Sequence, residues 1–382
     1  MDSSDKAALA LFRLHPSATD VQTANVLLKS ITDEKQFGDM LVRLGIAPLV
    51  YHNKAHYNLT AGLLGTVTAA YHRTLLRSMR LSAAFQEIAN VCAAQGIEII
   101  PLKGIYLSEA LYGNIGLRLM SDMDILVKEH EAMACINAIR QLGYSQADQY
   151  DSDLGTEIVH YEPLVKNGLS VEIHIKLHRI IEKYSLSPTL LWQHAKPARV
   201  HGCDVLSLDM YDTLIFCCLH LDRHFQNKGI QFTGYADMVN LLTDSSKDFD
   251  FNILENRCKM YNCSQEVYIH MLLVHKYMHI DLPERFLKIH ASLLSKVTEE
   301  RFISFLQGNT AFDTGMPRHF SNLIFIDGWF QKMLYIFRSI FPPASFIRNK
   351  YNLSPETSVF KYYIHRLFTG LKGVFLLMRK KG

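Results

Sequence analysis

The segment "LRLMSDMDILV", Leu117 to Val127, sets two aspartates, Asp122 and Asp124, one residue apart at the mouth of an otherwise apolar run. Alternate side chains of a strand share a face, so the two carboxylates stand side by side while Met123 points the other way, into a core. Held together they repel, and burying either without a partner costs on the order of several kcal/mol. A divalent cation removes that repulsion, because hard cations such as Mg²⁺ take oxygen ligands and keep waters or substrate phosphates in their remaining positions. Asp-x-Asp alone is a weak motif, common on solvated strand ends, so its neighbours decide its meaning.

Downstream, "YEPLVKNGLSVEIHIKL" carries Asn167-Gly168 between two alternating runs, which predicts a β-hairpin. Val171, Ile173, Ile175 and Leu177 fall on one face of its second strand, and Ser170, Glu172, His174 and Lys176 on the other. Glu172 is therefore either part of a wet face or a third carboxylate beside the strand of Asp124. Upstream, "IEIIPLKG" reads as a short buried strand. There Gly104 leaves room for a phosphate to approach backbone N–H groups at a helix start, and Lys103 supplies positive charge. Arg118 offers a two-pronged grip on a triphosphate. Cation, phosphate cradle and basic groups together point to a nucleoside triphosphate.

At this point the sequence resembles a known family. "PLKGIYLSEALYGNIGLRLMSDMDILV", a helix ending at "LGY", and "VEIHIKLH" are similar to the uncharacterised nucleotidyltransferase family, which shows a Leu-Lys-Gly turn, an Arg, an Asp-x-Asp and an acid-x-His strand. "LHLDRHFQNKGIQFTGYADMVNLL" and "IFPPASFIRNKYNLSPETSVFKYYIHRLF" resemble its later segments more loosely. The resemblance implies a polymerase-β-like nucleotidyltransferase core around two Mg²⁺ ions, with Mn²⁺ as a substitute and an NTP, ATP among them, as substrate. It makes Asp122, Asp124 and Glu172 the catalytic acids and metal ligands, and puts Lys103, Gly104 and Ser121 around the nucleotide phosphates. The wider superfamily usually has Gly-Ser or Gly-Gly where this chain has Lys103-Gly104-Ile105, and a shorter gap to the first aspartate; a toxin branch shares the Lys-Gly form. By phosphoryl-transfer logic Glu172 is then a ligand of the catalytic ion or the base for the acceptor, with Lys103 and Arg118 stabilising charge.

The predicted class is α+β: a small mixed sheet at 96–208 flanked by a helical N-terminal part (1–95) and a helical C-terminal part (209–382). The longest N-terminal helix is read from Leu64, Val67, Tyr71, Leu75, Met79, Phe85, Ile88 and Cys92. Short helices follow at 105–111 and in "KEHEAMACINAIRQLG", which Gly143 closes. "GCDVLSL" is expected to extend the sheet, and beyond Asp209 the chain reads as successive helices.

Other candidates rank lower. His220 and His224 lie one helical turn apart and could share zinc, but the Glu of the metalloprotease helix is absent; a polar face toward the cleft is the alternative. Asp237 is a lone acid amid apolar helix positions, a cleft residue or a buried helix-capping acid. His174 and His178 line the cleft. The tail "HRLFTGLKGVFLLMRKKG" is either a docked final helix or a membrane-surface segment.

A net charge of +3 over 382 residues argues against a general nucleic-acid binder. The 7 cysteines are scattered, which fits reduced thiols in a cytoplasmic protein, and no secretory signal or membrane-spanning run is evident. The expected activity is transfer of a nucleoside monophosphate to an unidentified acceptor: a small molecule, sugar, peptide or protein. The alternatives are a toxin-like tRNA nucleotidyltransferase and a non-catalytic nucleotide-binding protein.

Overall fold

Capping explains where the N-terminal helices begin. The computed structural model describes residues 1–146, 159–178, 184–227, 232–244 and 249–308, with scattered positions between 329 and 364. Helix α1 (Ser3–Leu9) and α2 (Ala18–Leu28) open with reciprocal capping boxes, Asp2 with Asp5 and Ser17 with Asp20. Asp33 caps α3 (Glu34–Leu44), which Gly45 ends in the left-handed conformation at φ +75°. After α4 (Ala47–His52), Thr60 caps the 34-residue α5 (Ala61–Ala94).

The inner face of α5 differs from the expected stripe. Val67, Phe85, Ile88 and Cys92 are buried as predicted, but Leu64 and Met79 are exposed, and Ala70, Thr74 and Ser78 take the inner positions. Earlier on the same helix the packing is also close: a Cβ on Gly38 of α3 would stand 3.1 Å from the Thr66 methyl. Small size, rather than hydrophobicity, marks this part of the face.

The main sheet has five strands in the order β1-β2-β5-β4-β3. They are β1 (Ile100–Leu102), β2 (Met123–Leu126), β3 (Ser145–Gln146), β4 (Leu164–Lys166) and β5 (Leu169–His174). Helix α6 (Lys103–Ala110) follows β1 directly, and α7 (Ala132–Gln141) follows β2. The Asn167-Gly168 hairpin forms as predicted, both residues having positive φ (+52° and +73°), the conformation a tight two-residue turn requires. The pair β2–β5 is parallel and all other pairs are antiparallel, giving the mixed sheet of an α+β fold. "GCDVLSL" does not extend this sheet. Its strand β7 (Cys203–Ser207) pairs with β6 (Lys196–Val200) in a separate two-stranded ribbon, which touches the sheet through Leu206 N–H donating to Ile99 O.

Two cores lie on the two faces. Met123, Ile125, Val171 and Ile173 pack with α7 and the C-terminal half of α5; each such buried aliphatic contributes about 1.5–3 kcal/mol. Leu102 and Leu126 belong to a larger core shared with the N-terminal helices and the later ones. The later helices are α8 (Pro188–His194), α9 (Met210–Asn227), α10 (Thr233–Asp244), α11 (Phe251–Met260), α12 (Ser264–Met278), α13 (Glu284–His290) and α14 (Lys296–Leu306). Pleating thus turns Asp124 away from Met123 and onto the face that α9 covers. The tail "HRLFTGLKGVFLLMRKKG" lies outside the described residues.

Candidate active site

Strand β2 lies between β1 and β5, and its register delivers the acids. Asp124 is the direct partner of Glu172 across the parallel pair and of Leu102 across the antiparallel one. Lys103, next after Leu102, has a positive φ of +49°, a conformation disfavoured for a side chain with a Cβ and often found where a site imposes it. Lys103 Nζ reaches Asp124 Oδ1 at 3.1 Å, and His174 Nε2 meets the same oxygen at 2.8 Å. Glu172 Oε2 lies 3.7 Å from His174 Nε2 and 4.0 Å from His160 Nδ1.

One atom each from Asp124, Glu172 and His174 all fall within 4.8 Å of one another, a spacing that admits a cation. Asp122 is not in this group. Half-exposed, it accepts a hydrogen bond from Ser121 Oγ at 2.9 Å. Its charge still reaches the others: burial, then Asp124 and Asp122, push the Glu172 carboxyl up to about 7. Burial and Asp124 raise Asp122 likewise. Burial would also raise Asp124, but Lys103 and the His174 hydrogen bond outweigh it and hold that carboxyl well below the usual range. Burial lowers His174; its Nε2 faces the Asp124 carboxylate, which can only accept, and among the described residues its buried Nδ1 has no hydrogen-bond partner.

The residues expected to cradle phosphate are placed in a more particular way than their types implied. The space beside Gly104 is filled by the loop before Asp122, since a Cβ there would stand 2.6 Å from Met120 Cγ and 2.7 Å from an Arg118 terminal nitrogen. Leu102, the residue before α6, gives no side-chain cap, so the first-turn N–H groups are not capped from there. Arg118 is committed to Asp237 of α10, with contacts of 2.7, 3.2 and 3.2 Å, and Tyr112 O–H donates to the same carboxylate at 2.9 Å. Asp237 is thus a buried counter-ion that ties the site loop to the helices.

From α9, Phe216 lies 5.7 Å from Lys103 Nζ, and the His220 ring stands 4.4 Å from that of His224. Burial, then Lys103, lowers His220 well below the ordinary histidine range. Among the described residues, neither His220 nor His224 joins a group of three metal-type ligands. His178 lies past the end of β5, its Nε2 3.4 Å from Ser185 Oγ. Two participants escaped the sequence: Arg77 of α5, which donates to the carbonyls of Met120 and Ser121, and His160 beside Glu172. His174 was visible as a face-mate of Glu172 but ranked below the acids.

A family profile described as uncharacterised nucleotidyltransferase matches residues 31–279, about two thirds of the chain. The chain belongs to that family. The match contains the whole sheet and the site and stops before the 340–368 segment. No curated protein matches the sequence. Among solved structures, the solution structure of the antibiotic-resistance factor ANT(2'')-Ia is similar, at 11% identity and a TM-score of 0.35, covering 51% of this chain and 99% of that one. As a member of the nucleotidyltransferase family, the protein is a transferase that moves a nucleoside monophosphate from a nucleoside triphosphate. Among the described residues, no helix is long and apolar enough to cross a membrane.

Proposed function

We propose that this nucleotidyltransferase depends on a divalent cation, Mg²⁺ or Mn²⁺, and attaches a nucleoside monophosphate to an acceptor other than nucleic acid. The observation that carries the proposal is the convergence of Asp124, Glu172 and His174, from two register-paired strands, on one space of cation size. The donor set suits such an ion: two carboxylates, an imidazole whose Nε2 faces both of them, and Asp122 within electrostatic reach. When bound, the cation would screen the acids from one another and neutralise charge on the α-phosphate and the departing pyrophosphate.

The chain's own groups have distinct tasks. Asp124, Glu172 and His174 would hold the cation, with Asp122 as the further acid at the mouth of the strand; Glu172, whose carboxyl is pushed up to about 7 while no cation is bound, is either a ligand of that ion or the base that takes the acceptor proton. Lys103 lies against Asp124 and would supply positive charge to the phosphates. Gly104 and the first turn of α6 present N–H groups, and Ser121 a hydroxyl. Arg118, locked by Asp237, is a fixed positive edge. A charge of only +3 supports a small-molecule, sugar, peptide or protein acceptor over RNA.

Incubation with each α-labelled NTP, cation and cell extract tests this. Label should move to a non-nucleic-acid product, and Asp122→Ala or Asp124→Ala should cut transfer at least about a hundredfold while the circular dichroism spectrum is kept. Retained transfer in either variant, or label in RNA, refutes the assignment.

A further inference from the structure

Both acid-bearing strands enter the sheet from the same end, because β2 and β5 are parallel. One helix holds both entrances. On α5, Arg77 Nε donates to Met120 O at 3.0 Å and its Nη2 to Ser121 O, immediately before Asp122. Arg80, one turn further along the same helix, donates from Nη2 to Asn167 O at 2.7 Å, in the hairpin turn that opens β5. Just beyond these contacts the helix is anchored in the second core by Leu81, Phe85 and Ile88.

We infer that Arg77 and Arg80 are positioning residues for nucleotidyl transfer, a strut on α5 that sets the separation between the Asp122 loop and the Glu172 strand and so the shape of the cation site. The inference rests on the cation reading above.

The geometry is specific in two respects. The Ser121 carbonyl shares a peptide unit with the Asp122 nitrogen, so any rotation of that peptide swings the Asp122 side chain. Arg118 and the buried Met120 anchor the earlier part of this loop, whereas next to Asp122 itself Ser121 is exposed and its carbonyl is held by Arg77. Only a planar guanidinium can present two fixed N–H vectors to successive carbonyls; a lysine ammonium keeps the charge but not the fork. Groups that orient metal ligands typically account for 10–100-fold in metal affinity without touching the ion.

The test is a thermal-shift titration of the full chain with MnCl₂ alone, starting from EDTA-treated protein, on wild type, Arg77→Ala, Arg77→Lys and Arg80→Ala. The Mn²⁺ midpoint should rise about 10–100-fold in Arg77→Ala, and Arg77→Lys should recover little of it despite its charge. In an Asp122→Asn background Arg77→Ala should add no further shift, and in a Glu172→Gln background neither should Arg80→Ala. With labelled NTP, kcat should fall more than KM rises. Wild type that takes no Mn²⁺ overturns the cation reading and this inference with it. Wild type that binds while Arg77→Ala binds equally well, or merely melts earlier in EDTA with an unchanged midpoint, overturns the inference alone.

Discussion

Arg118 and Asp237 stand 119 positions apart in sequence, yet their side chains meet in the interior at 2.7 Å. The pair joins the loop before Asp122 to α10, and both partners are largely shielded, at 11% and 1% side-chain exposure. Burial works against the guanidinium, but Asp237 outweighs it and keeps Arg118 firmly protonated.

Removing the acid alone strands a buried cation. Asp237→Asn should therefore cost about 3–5 kcal/mol in urea unfolding. Arg118→Met combined with Asp237→Asn should cost clearly less than the sum of the two single changes. A single-variant loss below about 1 kcal/mol, the usual worth of an exposed pair, would show the pair to be solvated.

Glu172 gives the metal-free protein a pH dependence of unusual sign. Its folded carboxyl titrates at about 7, above the ordinary 4.5. Below pH 4.5 both folded and unfolded chains carry the proton, so nothing is lost. Between 4.5 and 7 the unfolded chain releases it first, and stability falls as pH rises; above 7 the loss is complete. In EDTA, Glu172→Gln should be more stable than wild type at pH 8 by about 1–3 kcal/mol. The difference should vanish near pH 4.5, and equal stability at pH 8 would contradict the crowding of the three acids.

His174 brings nitrogen into an otherwise oxygen-rich ligand group. Imidazole suits Mn²⁺ better than Mg²⁺, which demands hard oxygen ligands. Wild type should reach half-saturation at lower Mn²⁺ than Mg²⁺ in thermal-shift titrations, and His174→Ala should shrink that ratio. An unchanged ratio would reduce His174 to a hydrogen-bond partner of Asp124.

Gly104 is enclosed by Met120 and Arg118. Gly104→Ala should cost about 1–3 kcal/mol by overpacking, and the displaced loop should also weaken the thermal shift given by ATP with Mn²⁺. Unaltered stability would mean that the Met120 side chain gives way freely.

Much of the site was legible because it is built from local rules. Period-two alternation fixed the face shared by Glu172 and His174, and Asn167-Gly168 fixed the hairpin. The lone apolar run after Asp122 marked a buried strand. What was hidden depends on distance along the chain. Arg77 and Asp237 reach the site loop across 43 and 119 positions, and no local pattern distinguishes such an arginine from a solvated one. The partner of β7 was missed for a different reason: β6, "KPARV", is mostly exposed, with only Val200 buried, and carries a proline, so it gives little strand signal.

The N-terminal and C-terminal helices share a core and are also laced together by hydrogen bonds. Leu14 N–H and Phe12 O bind the Asn240 amide at 2.7 and 3.0 Å, Arg13 reaches the carbonyls of Met278 and His279, and Arg43 reaches Leu306 O. During synthesis, then, the first helices leave the ribosome long before their partners exist. Their greasy faces must wait for 226 to 263 further residues, an interval in which a nascent chain is open to aggregation and to chaperone capture. Translation halted before α14 should leave a product that is degraded rather than a smaller working enzyme.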